Sequence, residues 1–105
     1  MTARFIGKDV DSFEALSLPG DIAIGADNYH RCLMVNCPIC HRLHVVDIMG
    51  STYPNPRWTW DEATLTASPS YKLTSGCDGA ICHWNLTNGE FIIHGDSTAT
   101  PGAHA

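Results

Sequence analysis

The sequence predicts an all-β domain: a small zinc-ribbon-like antiparallel sheet organised around a CxxC metal knuckle. Short apolar and β-branched runs alternate with turns rich in Gly, Pro and Asn, and no long helical period interrupts them. The motif Cys37-Pro-Ile-Cys40 lies between two such runs, which is the strand–knuckle–strand layout of a zinc-ribbon hairpin. The dipeptide Asn88-Gly89 lies between two further runs and is a strong hairpin signal.

Length and composition favour one globular domain over residues 1–105. The 105 residues are 44% apolar and 16% charged, as in ordinary globular chains. We expect a metal-knuckle core at about 29–96 and an N-terminal extension at 1–28. A chain of this size builds only a modest core, so a structural metal, which contributes on the order of 10 kcal/mol in small domains, would matter to folding.

The charge of the chain argues against nucleic acid as a partner. The net charge is −5, with eleven acidic against six basic side chains. A nucleic-acid-binding surface needs clustered basic residues, and those of this chain are scattered along the sequence. They are Arg4, Lys8, Arg31, Arg42, Arg57 and Lys72.

The hydropathy of the sequence shows neither a membrane span nor a secretory signal. We therefore expect a protein that is not secreted and has no membrane partner. A reducing compartment keeps thiols available, and cysteine clusters there more often bind metal than form disulfides.

The first strands are short and precede the knuckle. Residues 2–7 predict an edge strand, residues 9–19 a short helical turn ended by Pro19-Gly20, and residues 21–25 another strand. Residues 29–36 lead into the knuckle, and residues 43–48 leave it as the antiparallel partner. Cys32 lies within the incoming strand, and we interpret it as a core thiol.

The second half also predicts strands. An irregular loop at 49–56 precedes a strand at 57–60, which places Trp58 and Trp60 on one face, against a core or as an exposed binding surface. Strands at 64–66 and 71–74 are predicted on either side of a turn at 67–70. A nucleophilic serine in that Ser-Pro-Ser segment is the alternative, but no Gly-rich elbow surrounds it. The last hairpin joins residues 81–86 and 90–94.

Two clusters supply the candidate ligands of one structural Zn²⁺ ion. A tetrahedral site needs four Cys or His ligands, so the CxxC pair requires partners from elsewhere. Cys82 and His83 are adjacent on a predicted strand, so a regular strand would direct only one of them to the metal, whereas a bulge would admit both. The spacing leaves open which four ligate among Cys37, Cys40, Cys77, Cys82 and His83.

Other readings of the cysteines and histidines are weaker. Buried thiols and disulfides are the alternatives to metal, although five cysteines leave one without a disulfide partner. His41 and His44 are expected to lie beside the site or in solvent. Four Cys-rich ligands make a closed site, so we expect no enzyme; a metalloenzyme that also uses His41, His44 or His94 is the alternative, and a nucleic-acid-binding zinc ribbon a further one.

Several short motifs occur in the order of a known family. They are Cys37-Pro-Ile-Cys40, Trp58-Thr-Trp60, Leu65-Thr-Ala-Ser-Pro-Ser70, Cys82-His83 before Asn88-Gly89, and Gly95-Asp-Ser-Thr98. Over roughly residues 35–100 the chain resembles a domain-of-unknown-function family of small phage and bacterial proteins, whose phage members often carry the label "ammonia monooxygenase". Nothing in the sequence supports that label. His41 and Ala99 depart from the family pattern, which has Gly and His at these positions.

The resemblance implies a phage-type, zinc-binding protein that acts through protein–protein interaction. Two settings follow from it: a host-directed or anti-defence accessory protein in the host cytoplasm, or a structural or decoration component of the virion. The partner would be a host factor or the virion assembly, and the sequence leaves a homo-oligomer open.

Overall fold

A computed structural model describes residues 1–26, 32–48, 58–74 and 80–100 of the chain. Within these residues the structure is strand-dominated, with two four-stranded sheets and one short 3-10 helix, which confirms the all-β prediction. The strands are β1 (Arg4–Val10), β2 (Asp21–Gly25), β3 (Leu33–Asn36), β4 (Leu43–Val46), β5 (Thr59–Asp61), β6 (Thr66–Leu73), β7 (Cys82–Thr87) and β8 (Glu90–Ile93).

The first sheet has the strand order β1-β2-β3-β4. β1 and β2 are parallel, whereas β2–β3 and β3–β4 are antiparallel, as predicted for the strands around the knuckle. The predicted helical turn is the 3-10 helix Phe13–Ala15, and the Ser12 hydroxyl caps it by accepting from the Glu14 N–H. Strands β1 and β2, from the first 25 residues, thus form half of this sheet.

An ion pair between an exposed guanidinium and a buried carboxylate links the parallel strands to each other. Asp21, at the start of β2, is 1% exposed and accepts two hydrogen bonds from Arg4, at 2.8 Å and 2.7 Å. The Leu18 N–H donates a third bond to Asp21, at 2.9 Å. The bonds from Arg4 hold the pKa of Asp21 below its usual value.

The second sheet has the order β5-β6-β7-β8 and is antiparallel throughout. The turn predicted at 67–70 is wrong, because β6 runs through this segment as one strand. Its register against β7 shifts between Ala67 and Tyr71, where three β6 residues lie opposite the single Asn85. Proline lacks the N–H of a regular ladder, so a bulge of this kind accommodates Pro69 within a strand.

The β7–β8 hairpin is confirmed. Asn88 and Gly89 both have positive φ, 49° and 74°, as the two central residues of a type I′ turn require. The N-terminus runs along β8: the Phe91 N–H donates to the Met1 carbonyl and the Ala3 N–H to the Gly89 carbonyl, both at 2.8 Å. The first residues of the chain therefore link the two sheets through hydrogen bonds.

One apolar core lies between the sheets. The large buried side chains come from both, and they are Ile22, Leu33, Val35, Val46, Trp84, Leu86 and Phe91. Trp84 stacks on Tyr71 with ring centres 4.9 Å apart and meets Phe91 edge-on at 5.1 Å. Trp58 and Trp60 are partly buried against this core rather than forming an exposed aromatic surface.

Candidate metal centre

Three thiols and one imidazole converge beside this core. The ligand atoms of Cys37, Cys40, His44 and Cys82 all lie within 4.8 Å of one another. The three cysteines are fully buried, and His44 is 5% exposed. In a tetrahedral zinc site with Zn–S distances of about 2.3 Å, the ligand atoms are about 3.8 Å apart, so this group has the dimensions to bind one metal ion.

The knuckle turn sets the first two ligands. Cys37 follows β3 directly; its N–H donates to the Arg42 carbonyl at 2.8 Å, and its own carbonyl accepts from the His41 N–H at 3.0 Å. The Ile39 N–H points at the Cys37 sulfur, 3.4 Å away, which favours a thiolate there. His41 takes the left-handed conformation, with φ 61°, that closes the turn.

Strand alternation in β4 supplies the imidazole. His44 and Val46 are buried, whereas Leu43 and Val45 face outward. The His44 Nε2 lies 3.3 Å from the Cys40 sulfur, and the ring lies against Tyr71 at 5.5 Å between centres. The sequence predicts His44 to lie beside the site or in solvent, whereas the structure places it among the candidate ligands. The sequence signal for this position is the alternation of side chains along residues 43–48, which places His44 on the inward face.

The fourth side chain comes from the other sheet. Cys82 begins β7 opposite Leu73, and it shares its inward face with Trp84 and Leu86. A metal held by these four residues would therefore bond to both sheets at once.

The structure does not bring every sequence-predicted ligand to this point. Cys37, Cys40 and Cys82 meet there, and Cys77 lies outside the described residues. His83 points to the opposite side of β7, where its ring contacts Asp96 and Ser70, because adjacent strand residues face opposite ways. Cys32 is buried apart from the cluster, and its thiol donates to the Asp47 carboxylate at 3.2 Å.

Burial makes one thiol of the cluster, that of Cys37, harder to ionise. Burial raises the pKa of the Cys37 thiol. The backbone N–H groups of Cys40 and Ile39 act in the opposite direction, because they stabilise the thiolate. All four cysteines in the described parts of the chain are thiols rather than disulfides. A bound cation would supply the positive charge that makes buried thiolates stable, and its binding would release protons.

The donor set defines the chemistry that the site supports. Three sulfurs and one imidazole nitrogen suit a borderline-soft divalent ion in tetrahedral coordination. Comparison of the chain with protein-family models, with curated proteins and with solved structures finds no match. The family resemblance therefore stays a prediction, and the class of protein defined here is an all-β domain with a Cys₃His cluster.

Proposed function

We propose that this protein is a zinc-stabilised β-domain whose ion is structural and which acts by binding another protein. The observation that carries the first part is the convergence of four buried Cys and His ligand atoms within 4.8 Å. Zinc is the ion that Cys₃His sites typically hold in proteins, and four protein ligands leave no open position for substrate. The metal itself then performs no catalytic step.

The surface next to the knuckle supports the protein-binding part. Leu43 and Val45, 40% and 41% exposed, project from β4 at the edge of the first sheet. Leu43 also lines a shallow cleft, together with Leu16, Asn36, His41 and Arg42. Apolar side chains on a sheet edge form contacts with protein partners, since the edge strand also offers backbone hydrogen-bonding groups.

The biological setting is proposed from the family resemblance. A host-directed accessory protein and a virion component are the two settings that it implies. Within the described residues, no helix has the length and apolar character needed to cross a membrane. Mass spectrometry of purified virions separates the two settings: detection of the chain supports the structural role, and its absence supports the host-directed one.

The metal centre is tested by native mass spectrometry of untagged protein purified without chelators. We expect one zinc ion per chain, lost in Cys40→Ser and in Cys82→Ser together with cooperative folding. Cys32→Ser is the matched control, since this buried cysteine lies outside the cluster and a serine hydroxyl can still donate to Asp47. Its zinc content should equal that of the wild type.

Two results would contradict the proposal. A folded wild-type chain without metal would remove the structural ion. A water molecule in the first coordination shell, detected by X-ray absorption, would instead indicate a metalloenzyme.

A further inference from the structure

Three polar side chains that contact one another in series lie on the outer face of the second sheet, away from the metal cluster. The His83 Nε2 is 3.1 Å from the Ser70 Oγ, and the His83 Nδ1 is 2.8 Å from the Asp96 Oδ1. The three residues come from separate segments, β6, β7 and the turn that follows β8. The order of these contacts is hydroxyl, imidazole, carboxylate. In nucleophilic catalysis these three groups serve as the nucleophile, the base and the group that orients the base.

The register of the sheet produces the first contact. Lys72 lies directly opposite His83, and Ser70, two residues earlier in β6, projects to the same side. Between them, Tyr71 faces the core and stacks on Trp84. Ser70 is half-buried, and its carbonyl accepts from the Trp58 indole N–H at 3.4 Å. The backbone of Ser70 is thus held by Trp58, and the residue is only partly buried.

The turn after β8 produces the second contact. Ser97 closes this turn onto β7: its hydroxyl accepts from the His83 N–H at 3.1 Å and donates to the His83 carbonyl at 3.0 Å. Lys72 binds the other oxygen of Asp96, with Nζ and Oδ2 2.9 Å apart. Asp96 therefore presents its Oδ1 to the imidazole in a defined orientation.

The contacts at the two ring nitrogens of His83 match one tautomer of a neutral imidazole. Hydrogen bonds from Lys72 and from His83 lower the pKa of Asp96 to about 2, so this carboxylate only accepts hydrogen bonds near neutral pH. In a neutral ring, a proton on Nδ1 satisfies this contact, because the Asp96 carboxylate then accepts a hydrogen bond from it. The lone pair of Nε2 is left to accept from the Ser70 hydroxyl, as in a serine nucleophile with its base.

A second histidine holds the ring in place. His94 stacks on His83 with ring centres 4.0 Å apart and an angle of 18° between the planes. The His94 Nε2 is in turn hydrogen-bonded to the Asn85 side chain, which lies on the same outward face of β7. The imidazole of His83 is thus restrained at both nitrogens and on one face, which is the preorganisation that a catalytic base requires.

We propose that Ser70, His83 and Asp96 form a second functional site that hydrolyses activated carboxylic esters at the sheet surface. Ser70 is the nucleophile and His83 the general base, whereas Asp96 is a positioning residue. This inference is independent of the zinc site, because Cys82 and His83 face opposite sides of β7. It also departs from the expectation that the chain is not an enzyme.

The reaction proceeds in two balanced steps. Ser70 Oγ attacks the ester carbonyl and gives its proton to His83 Nε2; the bond to the leaving oxygen breaks, and the leaving group takes that proton as an alcohol. Water then attacks the acyl-serine and gives a proton to Nε2, and the carboxylic acid departs as Ser70 recovers its proton. The net change is ester and water to acid and alcohol.

The experiment uses the full chain with zinc bound and p-nitrophenyl acetate as the probe. We expect release of nitrophenolate and, in intact-protein and peptide mass spectra taken early in the reaction, one acetyl group on Ser70. Ser70→Ala should abolish the acetyl-serine and lower the rate by about 10²- to 10⁴-fold. Ser68→Ala is the matched control, an exposed serine of the same strand without a contact to His83, and should react like the wild type.

The role of Asp96 is tested at the same time by Asp96→Asn, a conservative change at an exposed position. An amide can donate to Nδ1, so the ring proton should move to Nε2 and the rate should fall, with zinc content and thermal midpoint unchanged. The ring-nitrogen chemical shifts of His83 report this change of tautomer directly, which a merely structural role for Asp96 would not produce.

Three results would overturn the inference: acetylation confined to lysine or the N-terminus, an equal rate in Ser70→Ala, or a wild-type His83 whose proton resides on Nε2. None of them bears on the metal centre, since zinc stoichiometry is measured separately in every variant.

Discussion

At the scale of single residues, the alternation of side chains along a strand decides which groups each histidine contacts. His44 occupies an inward position of β4 and meets the cysteines, whereas His83 occupies an outward position of β7 and meets Ser70 and Asp96. Both residues lie within four positions of a cluster cysteine in the sequence, so proximity along the chain does not separate their roles. Their roles differ because the two side chains project from opposite faces of their strands, one inward and one outward.

This difference predicts that two matched substitutions change zinc affinity to very different extents. His44→Ala removes a ligand and should weaken zinc binding by more than about 100-fold, beyond the 10- to 100-fold that follows loss of a group merely supporting a ligand. His83→Ala should leave zinc affinity within a few-fold of the wild type. Competition titration with a chromophoric chelator measures both, and a large loss of affinity in His83→Ala would restore it as a ligand.

At the scale of elements, the parallel β1–β2 pair depends on the buried carboxylate of Asp21. Its pKa is lower in the folded chain than in the unfolded chain, because Arg4 and the Leu18 N–H bind the ionised form. As the pH falls, the unfolded chain therefore takes up the proton first. The stabilisation is complete above about pH 4, the usual carboxylate value, and is lost as the pH falls through the folded pKa.

Asp21→Asn should accordingly lower the free energy of unfolding at pH 7 by about 1–3 kcal/mol, the cost of losing charged hydrogen bonds to a buried carboxylate. The difference from the wild type should shrink below about pH 4. Urea titrations over this pH range measure it. Asp11→Asn removes the same charge from an exposed position and serves as control; a difference for Asp21→Asn that stays constant with pH would contradict the assignment.

The turn of the β7–β8 hairpin requires a positive φ at Gly89, whereas the space around this residue would admit a side chain. Gly89 has φ 74°, and a Cβ there would meet Leu65 at an ordinary 3.8 Å. Gly89→Ala should therefore cost about 1 kcal/mol through backbone strain alone, measured by denaturant unfolding. Gly95→Ala is the control, since a Cβ there meets nothing within 4 Å and should change stability by less than about 0.5 kcal/mol. Equal effects of the two changes would refute this account.

At the scale of the whole molecule, the metal cluster joins the two sheets. Cys37, Cys40 and His44 belong to the β3–β4 hairpin, and Cys82 belongs to β7. A bound ion therefore closes a link across the core, so that opening either sheet breaks a metal bond. We expect the two sheets to unfold as one cooperative unit when metal is bound.

Chelation should reveal this coupling. Removal of zinc with EDTA should raise amide hydrogen exchange in β3–β4 and in β7–β8 together, and added zinc should restore protection in both. The Cys32→Ser variant should behave like the wild type. Loss of protection confined to the knuckle hairpin would show that the ion stabilises only one sheet.

The sequence by itself determined the features that depend on local chemistry. The hairpin at Asn88-Gly89, the antiparallel strands on either side of the knuckle and the all-β class follow from turn residues and apolar alternation, which act between near neighbours. The same local rules failed at Pro69, because a Ser-Pro segment is typical of a turn and only pairing with β5 and β7 makes it a bulged strand.

Only the tertiary structure decided which side chains meet. The cluster joins Cys82 to residues some forty positions earlier, and the second site joins Ser70, His83 and Asp96 from three segments. A shift of one residue in strand register reverses the face of every side chain, and register is set by packing across the whole sheet. The sequence therefore names the residue types that carry the chemistry, and the fold assigns them to two separate sites.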